Sequence, residues 1–165
     1  MRYVIREKFF HLGEDSKITD EAGRPVYDVD GKVLSLHNTL VMRDMSGNEV
    51  ATVKRQLIAL TPTYVIDRPG HGETAVRKHF INLFGDHFTI DIPGPDDLEM
   101  DGNLFEHEYR ISQGGKVVAT VSKHWIALTD TYGVETAPGQ DDPLILAAVL
   151  ALDLAEDRER SERHE

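Results

Sequence analysis

The sequence contains no cysteine, which excludes a disulfide framework, a thiolate zinc site and a cysteine nucleophile. Basic residues are scarce: 18 Lys and Arg stand against 29 Asp and Glu, for a formal net charge of -11. A field of that sign repels phosphate backbones and anionic lipid surfaces, so a general nucleic-acid binder or an electrostatic membrane binder is disfavoured. Long apolar runs are missing too. The longest extends from Leu144 to Leu152, about half of what a membrane-spanning helix needs. The opening residues, Met1 to Lys8, alternate and carry charge throughout, without the apolar stretch of a signal peptide. A soluble, cytoplasmic protein is the expectation. What is present is an ordinary globular composition, 40% hydrophobic and 28% charged over 165 residues, enough for the core of one domain.

An internal repeat organises the chain. Gly47 to Asp67 aligns without a gap on Gly115 to Glu135 at a constant offset of 68, with 11 of 21 positions identical. The identities include Val50/Val118, Ala51/Ala119, Thr52/Thr120, Val53/Val121, Ala59/Ala127 and Tyr64/Tyr132. Charge is kept at Arg55/Lys123 and Asp67/Glu135. Two copies of so long a period suit a pseudo-symmetric closed domain better than a solenoid. The expected layout is one domain over 1–165: a first half over about 1–68, a second over about 69–137, a helix over about 142–158 and a charged tail over 159–165.

Each half reads as β structure. Tyr3–Phe10, Val33–Arg43, Val50–Leu60, Thr74–Phe80, Phe88–Ile92, Leu104–Ser112 and Val117–Leu128 are rich in Val, Ile, Leu, Thr and aromatics, and turn dipeptides separate them. Many strands with no second class of element before the end predict an antiparallel barrel or sandwich. Asp142-Pro143 then starts a helix, with the carboxylate at the N-cap and Pro at the first helical position. The run Leu144 to Leu152 that follows is apolar on every face. Such a helix has to be surrounded on all sides. In a chain that is otherwise β, the physical solution is a barrel wrapped around its own helix, with the tail from Glu156 emerging into water and fraying.

Strand alternation places Ala51, Val53, Leu57 and Ala59 on one face, and Ala119, Val121, Trp125 and Ala127 on its counterpart. Small alanines at matching places let the helix approach closely. Arg55 and Lys123 interrupt this face at the same position of both copies. Either they lie at a bulge or strand end that turns them outward, or they are inward cations paired with an acid such as Asp153, because an unpaired buried charge costs several kcal/mol.

These features, in order, resemble the LURP-one-related family, which groups with the tubby C-terminal domain and the phospholipid scramblases. The residues carrying the resemblance are Tyr3 with Lys8-Phe9-Phe10, Lys17 to Gly23, Tyr27 to Lys32, Gly47 to Ala51, Gly115 to Lys123, Asp130 to Val134 and the Asp-Asp-Pro opening of the final helix. The resemblance covers nearly the whole chain. It implies a closed, mainly β, tubby C-terminal-like barrel of about 12 antiparallel strands in two pseudo-symmetric halves, around a buried hydrophobic C-terminal helix. It also implies, from the tubby and scramblase relatives, a peripheral phospholipid or phosphoinositide contact.

The candidate chemical groups are few. Asp86 to Glu108 holds eight acids and no Lys or Arg. Within it Asp97, Glu99, Asp101 and Glu108 nearly fit a calcium loop, with Gly102 for the sharp turn. Yet Pro93-Gly94-Pro95 precludes a helix before it, and Asp101-Gly102, matching Asp30-Gly31, reads as a hairpin turn. The eight histidines are dispersed, and His107-Glu108 lacks the second His of a zinc helix. His71 lies in a Pro-Gly-His-Gly loop, and Gly70 and Gly72 lack the strand-to-helix setting of a phosphate loop. Arg68, Arg77 and Lys78 form the locally basic patch, a candidate anion or lipid contact.

A helix-filled lumen leaves no sheltered chamber. The resulting expectation is a non-catalytic binding or scaffold module, without cofactor or committed metal site, that presents its surface to a protein partner or small ligand. The alternatives are a peripheral lipid binder and an enzyme with a rim site.

Overall fold

Short stretches of β-forming residues, each closed by a residue that folds the backbone back, generate a meander. Two of the turns use the same device. Asp20 Oδ1 accepts the amides of Ala22 and Arg24 at 2.9 Å, and Asp44 Oδ1 accepts those of Ser46 and Asn48 at 2.9 and 3.0 Å. Each carboxylate satisfies backbone donors that the turn would otherwise leave unpaired.

The result, in a computed structural model that describes residues 1–7, 15–30, 39–56, 62–79, 85–94, 96–126 and 128–163, is a closed barrel of twelve strands around one helix. The strands are β1 (Arg2–Arg6), β2 (Ser16–Asp20), β3 (Pro25–Asp30), β4 (Thr39–Asp44), β5 (Glu49–Gln56) and β6 (Thr63–Asp67). They continue as β7 (Thr74–His79), β8 (Asp86–Asp91), β9 (Leu98–Asn103), β10 (Glu108–Gln113), β11 (Lys116–Ser122) and β12 (Thr131–Thr136). Each pairs antiparallel with the next, and β1 closes the barrel on β12 from Arg2↔Glu135 to Arg6↔Thr131. The two aligned sequence segments fall on β5–β6 and on β11–β12.

Strand alternation points Ala51, Val53, Ile66, Val76, Ile90, Met100, Ile111, Ala119, Val121 and Val134 into the lumen, all 0–2% exposed. There they meet α1 (Asp142–Arg163), which packs against β5, β6, β7 and β12. From Leu144 to Glu156 no helical residue is more than 8% exposed, and Leu146 to Leu152 are fully buried. Burying each Leu or Val side chain contributes about 1.5–3 kcal/mol, which is why an all-round apolar helix settles in the lumen. No helix among the described residues is long and apolar enough to cross a membrane.

Several local readings change. The helix cap is Asp141, one residue earlier than expected: its Oδ1 accepts the Leu144 amide at 3.4 Å. Asp142 and Pro143 therefore occupy the first turn, where a proline removes no helical hydrogen bond. Tyr3 donates its hydroxyl to Asp142 at 2.5 Å, which ties the helix start to β1. The helix also continues past Arg158 to Arg163, because the charged segment pairs with itself through Arg158–Glu162 and Arg160–Glu156.

The Asp101-Gly102 hairpin is not found. Both residues lie within β9, and the turn falls at Leu104 to His107. Gly102 instead marks a close approach of strands: a Cβ there would lie 2.5 Å from the Glu108 carbonyl and 2.6 Å from Tyr109 Cα, at φ +144. Asp30 ends β3, and Gly31 lies outside the described residues, as do Lys8 to Phe10, Val33, Leu57 to Leu60, Phe80 and Ala127. β11 stops at Ser122, earlier than the expected Leu128, and β10 begins only at Glu108.

Candidate functional site

Polar chemistry gathers at the end of the barrel where α1 leaves the lumen. Here β1 and β7 end and β6 and β12 begin, so side chains from both copies of the repeat converge on the helix. They form two sites of different character.

The first is covered. Asp153, 4% exposed, projects from α1 into the wall. Tyr132 donates its hydroxyl to Asp153 Oδ2, and His107 Nε2 lies 3.2 Å from Oδ1. The His107 and Tyr132 rings stack with centroids 4.3 Å apart and an interplanar angle of 22°. His107 takes a left-handed backbone, φ +51, in the β9–β10 turn, which turns its ring back over the barrel end. Glu7, just past β1, accepts Lys123 Nζ at 2.5 Å and sits 4.0 Å from His107 Nδ1.

Burial opposes charge on His107, but the hydrogen bond and charge of Asp153, with Glu7, outweigh it and raise its pKa. Tyr132 and Tyr109 are pushed well above the usual phenol range by burial and by the Asp153 charge. Both phenols therefore stay protonated at neutral pH; Tyr132 donates to Asp153, whereas the buried Tyr109 hydroxyl has no hydrogen-bond partner among the described residues. His107 and Asp153 are both about 5% exposed.

The second site is open. Between α1 and the wall lies a cavity of about 420 Å³. Ala155, Arg158, Glu159 and Glu162 line it from the helix, a spacing that puts all four on one helical face. Pro62, Tyr64 of β6 and Lys78 of β7 line it from the wall. Lys78 pairs with Glu159, each about 18% exposed, and Arg158 pairs with Glu162 at 2.7 Å. Burial, with Glu162 and Asp157 nearby, raises the Tyr64 pKa, so its hydroxyl stays a donor.

The sequence-expected residues are dispersed. Arg68 makes two hydrogen bonds of 2.9 Å to the capping Asp141, at the start of α1 rather than at its exit. Arg77 pairs with Asp91 on the outer wall, beside a second, shallower cavity of about 480 Å³ that Glu73 and Pro93 also line. Of the basic trio, Lys78 alone belongs to the rim cavity. Their adjacency in sequence did not reveal this, because neighbouring strand residues face opposite sides.

The acidic loop does not converge either. Asp97 Oδ1 accepts the Ile92 amide, Glu99 is exposed, and Asp101 meets His87 Nδ1 at 2.6 Å. Glu108 accepts from Ser122 Oγ and the Lys123 amide. Among the described residues, no group of three His, Asp or Glu is placed to hold a metal ion. Arg55 lies one residue inside the end of β5, opposite inward-facing Tyr64, and is half-buried. Lys123 follows the last residue of β11. The strand-end reading fits Lys123, and the acid that meets it is Glu7, not Asp153; Arg55 shares the inward face of Ala51, Val53 and Tyr64, because no bulge interrupts the β5–β6 register.

In the sequence Glu159 and Glu162 read as tail residues. The signal that could have found them is their i, i+3, i+4, i+7 spacing with Ala155 and Arg158, which extends a helical face beyond the apolar run.

Such an arrangement defines a class: a closed antiparallel barrel plugged by its own C-terminal helix. The LURP-one-related family matches residues 1–153, and the chain belongs to that family. It is similar to the uncharacterized protein YxjI of Bacillus subtilis (strain 168), 27% identical over 150 residues that cover 91% of this chain and 90% of the relative. In structure it is similar to a protein from Arabidopsis thaliana known from X-ray diffraction, with a TM-score of 0.67 and 18% identity over 93% of this chain and 90% of the other. That likeness shows a shared fold.

Proposed function

We propose that this chain is a non-catalytic binding module that takes a small ligand at the rim cavity beside the helix exit. The observation that carries the reading is the occupied lumen. Antiparallel barrels of this width can hold a ligand in the lumen, and here the fully buried run Leu146 to Leu152 takes that space. The titratable groups that do converge, around Asp153, are closed off from any substrate. The cavity of about 420 Å³ next to Tyr64 and Lys78 falls within the range of small-molecule sites.

Amide chemical-shift mapping with a library of small polar fragments tests this. Ligands are expected to move the amides of Tyr64, Lys78 and Ala155 and to be recovered chemically unchanged. Turnover of a fragment that a rim substitution abolishes would contradict it, as would shifts confined to the outer wall around Arg77 and Asp91.

A further inference from the structure

The rim cavity carries an unusual charge balance for a chain of net charge -11. Its lining offers two cations, Lys78 and Arg158, and two anions, Glu159 and Glu162. Each cation already holds an acid: Lys78 with Glu159 and Arg158 with Glu162. The remaining lining, Pro62, Tyr64 and Ala155, is largely apolar.

This pairing discriminates among ligands. A simple anion that draws Lys78 away leaves Glu159, about 18% exposed, uncompensated in a partly desolvated place. A simple cation does the converse. A zwitterion inserts its carboxylate beside Lys78 or Arg158 and its ammonium beside Glu162 or Glu159. Every charge then keeps an opposite neighbour, and the ligand's apolar portion lies against Tyr64 and Pro62.

The repeat supplies an independent comparison. In the covered site Ile5 pairs with Tyr132 across β1–β12, and in the open site Val76 pairs with Tyr64 across β6–β7. Counting two residues on from each places Glu7 and Lys78 at equivalent positions. At the covered site Glu7 meets Lys123 and lies near His107, groups of this chain that complete the charge pattern and close over Tyr132. The protein thus fills one of two related places with its own acid, base and ring, and leaves a cavity at the other.

We infer that the rim cavity binds a small zwitterion of the free amino-acid type, its carboxylate on the Lys78/Arg158 side and its ammonium on the Glu159/Glu162 side. This rests on the rim-binding reading and adds the ligand class to it.

The test is amide shift mapping on the full chain with free leucine and phenylalanine. Its controls are 4-methylpentanoate, which is leucine without the ammonium, and isoamylamine, which is leucine without the carboxylate. Leucine or phenylalanine is expected to shift Tyr64, Lys78 and Ala155 saturably, and each half-molecule to bind at least about tenfold more weakly, the worth of one charge-assisted contact. Arg158→Gln and Glu162→Gln, both on the solvent-exposed helix end, are expected to weaken the zwitterion by about twofold to fivefold, and Arg77→Gln on the outer wall to leave it unchanged. Equal binding of either half-molecule, or no rim shifts with both amino acids, overturns the inference. If other fragments still move the rim amides in that case, the binding-module reading stands; if none does, that reading falls as well.

Discussion

Asp153 interrupts the apolar stretch of a buried helix, and its two carboxylate oxygens are both engaged, one by Tyr132 and one by His107. A buried carboxylate survives only when its partners replace the water it has lost. His107 in turn is faced by Asp153, by Glu7 and, further off, by Lys123. Its pKa in the fold is raised above its ordinary value of 6.5. The protonated form therefore stabilises the native state fully below about pH 6.5, and that contribution is lost as the pH rises through the folded value. His107→Gln keeps a donor for Asp153 but cannot take up the proton. Urea denaturation between about pH 5.5 and about pH 8.5 is expected to show wild type ahead of H107Q at the acid end, with the gap narrowing toward the alkaline end. A gap that does not change with pH would contradict the proton linkage. None of this was legible in the sequence, where His107 is one of eight dispersed histidines. It meets Asp153 46 residues away, through a left-handed turn that no local pattern announces.

At the scale of elements, the final helix was the most legible part of the chain, because an apolar run on every face has one solution in a small β protein. Val149 lies at its centre and is fully buried. Val149→Asp places a charge where no partner exists, a cost of several kcal/mol that approaches the whole stability of a domain. Loss of the cooperative thermal transition is expected, while Val149→Ala should still fold, with a lower melting temperature from the cavity it leaves. A V149D melt close to wild type would contradict the buried helix. The strands were less legible. β2, β3, β6, β9 and β12 are only five or six residues long, and β9 carries Asp and Glu at its outward positions with just Leu98 and Met100 turned in. Two inward residues make too short an alternation to stand out from a loop. The charged end of α1 is illegible for a related reason: a run of Glu and Arg reads as solvated, and the Lys78–Glu159 pair joins residues far apart in the chain.

For the molecule as a whole, closure matters most. A twelve-stranded barrel has no free edge once β1 meets β12, and its interior is wide enough to need filling. The helix supplies that filling, which removes the lumen as a chamber. The most direct measurement is native-state hydrogen exchange on the amides from Leu146 to Leu152. If the helix is the permanent core, these amides exchange only through global unfolding, with the same free energy and denaturant dependence as the slowest amides of β5 and β11. Exchange of the helix through a separate, lower-energy opening while β5 and β11 stay protected would show a barrel that can empty, and would contradict the filled lumen on which the rim-binding reading depends.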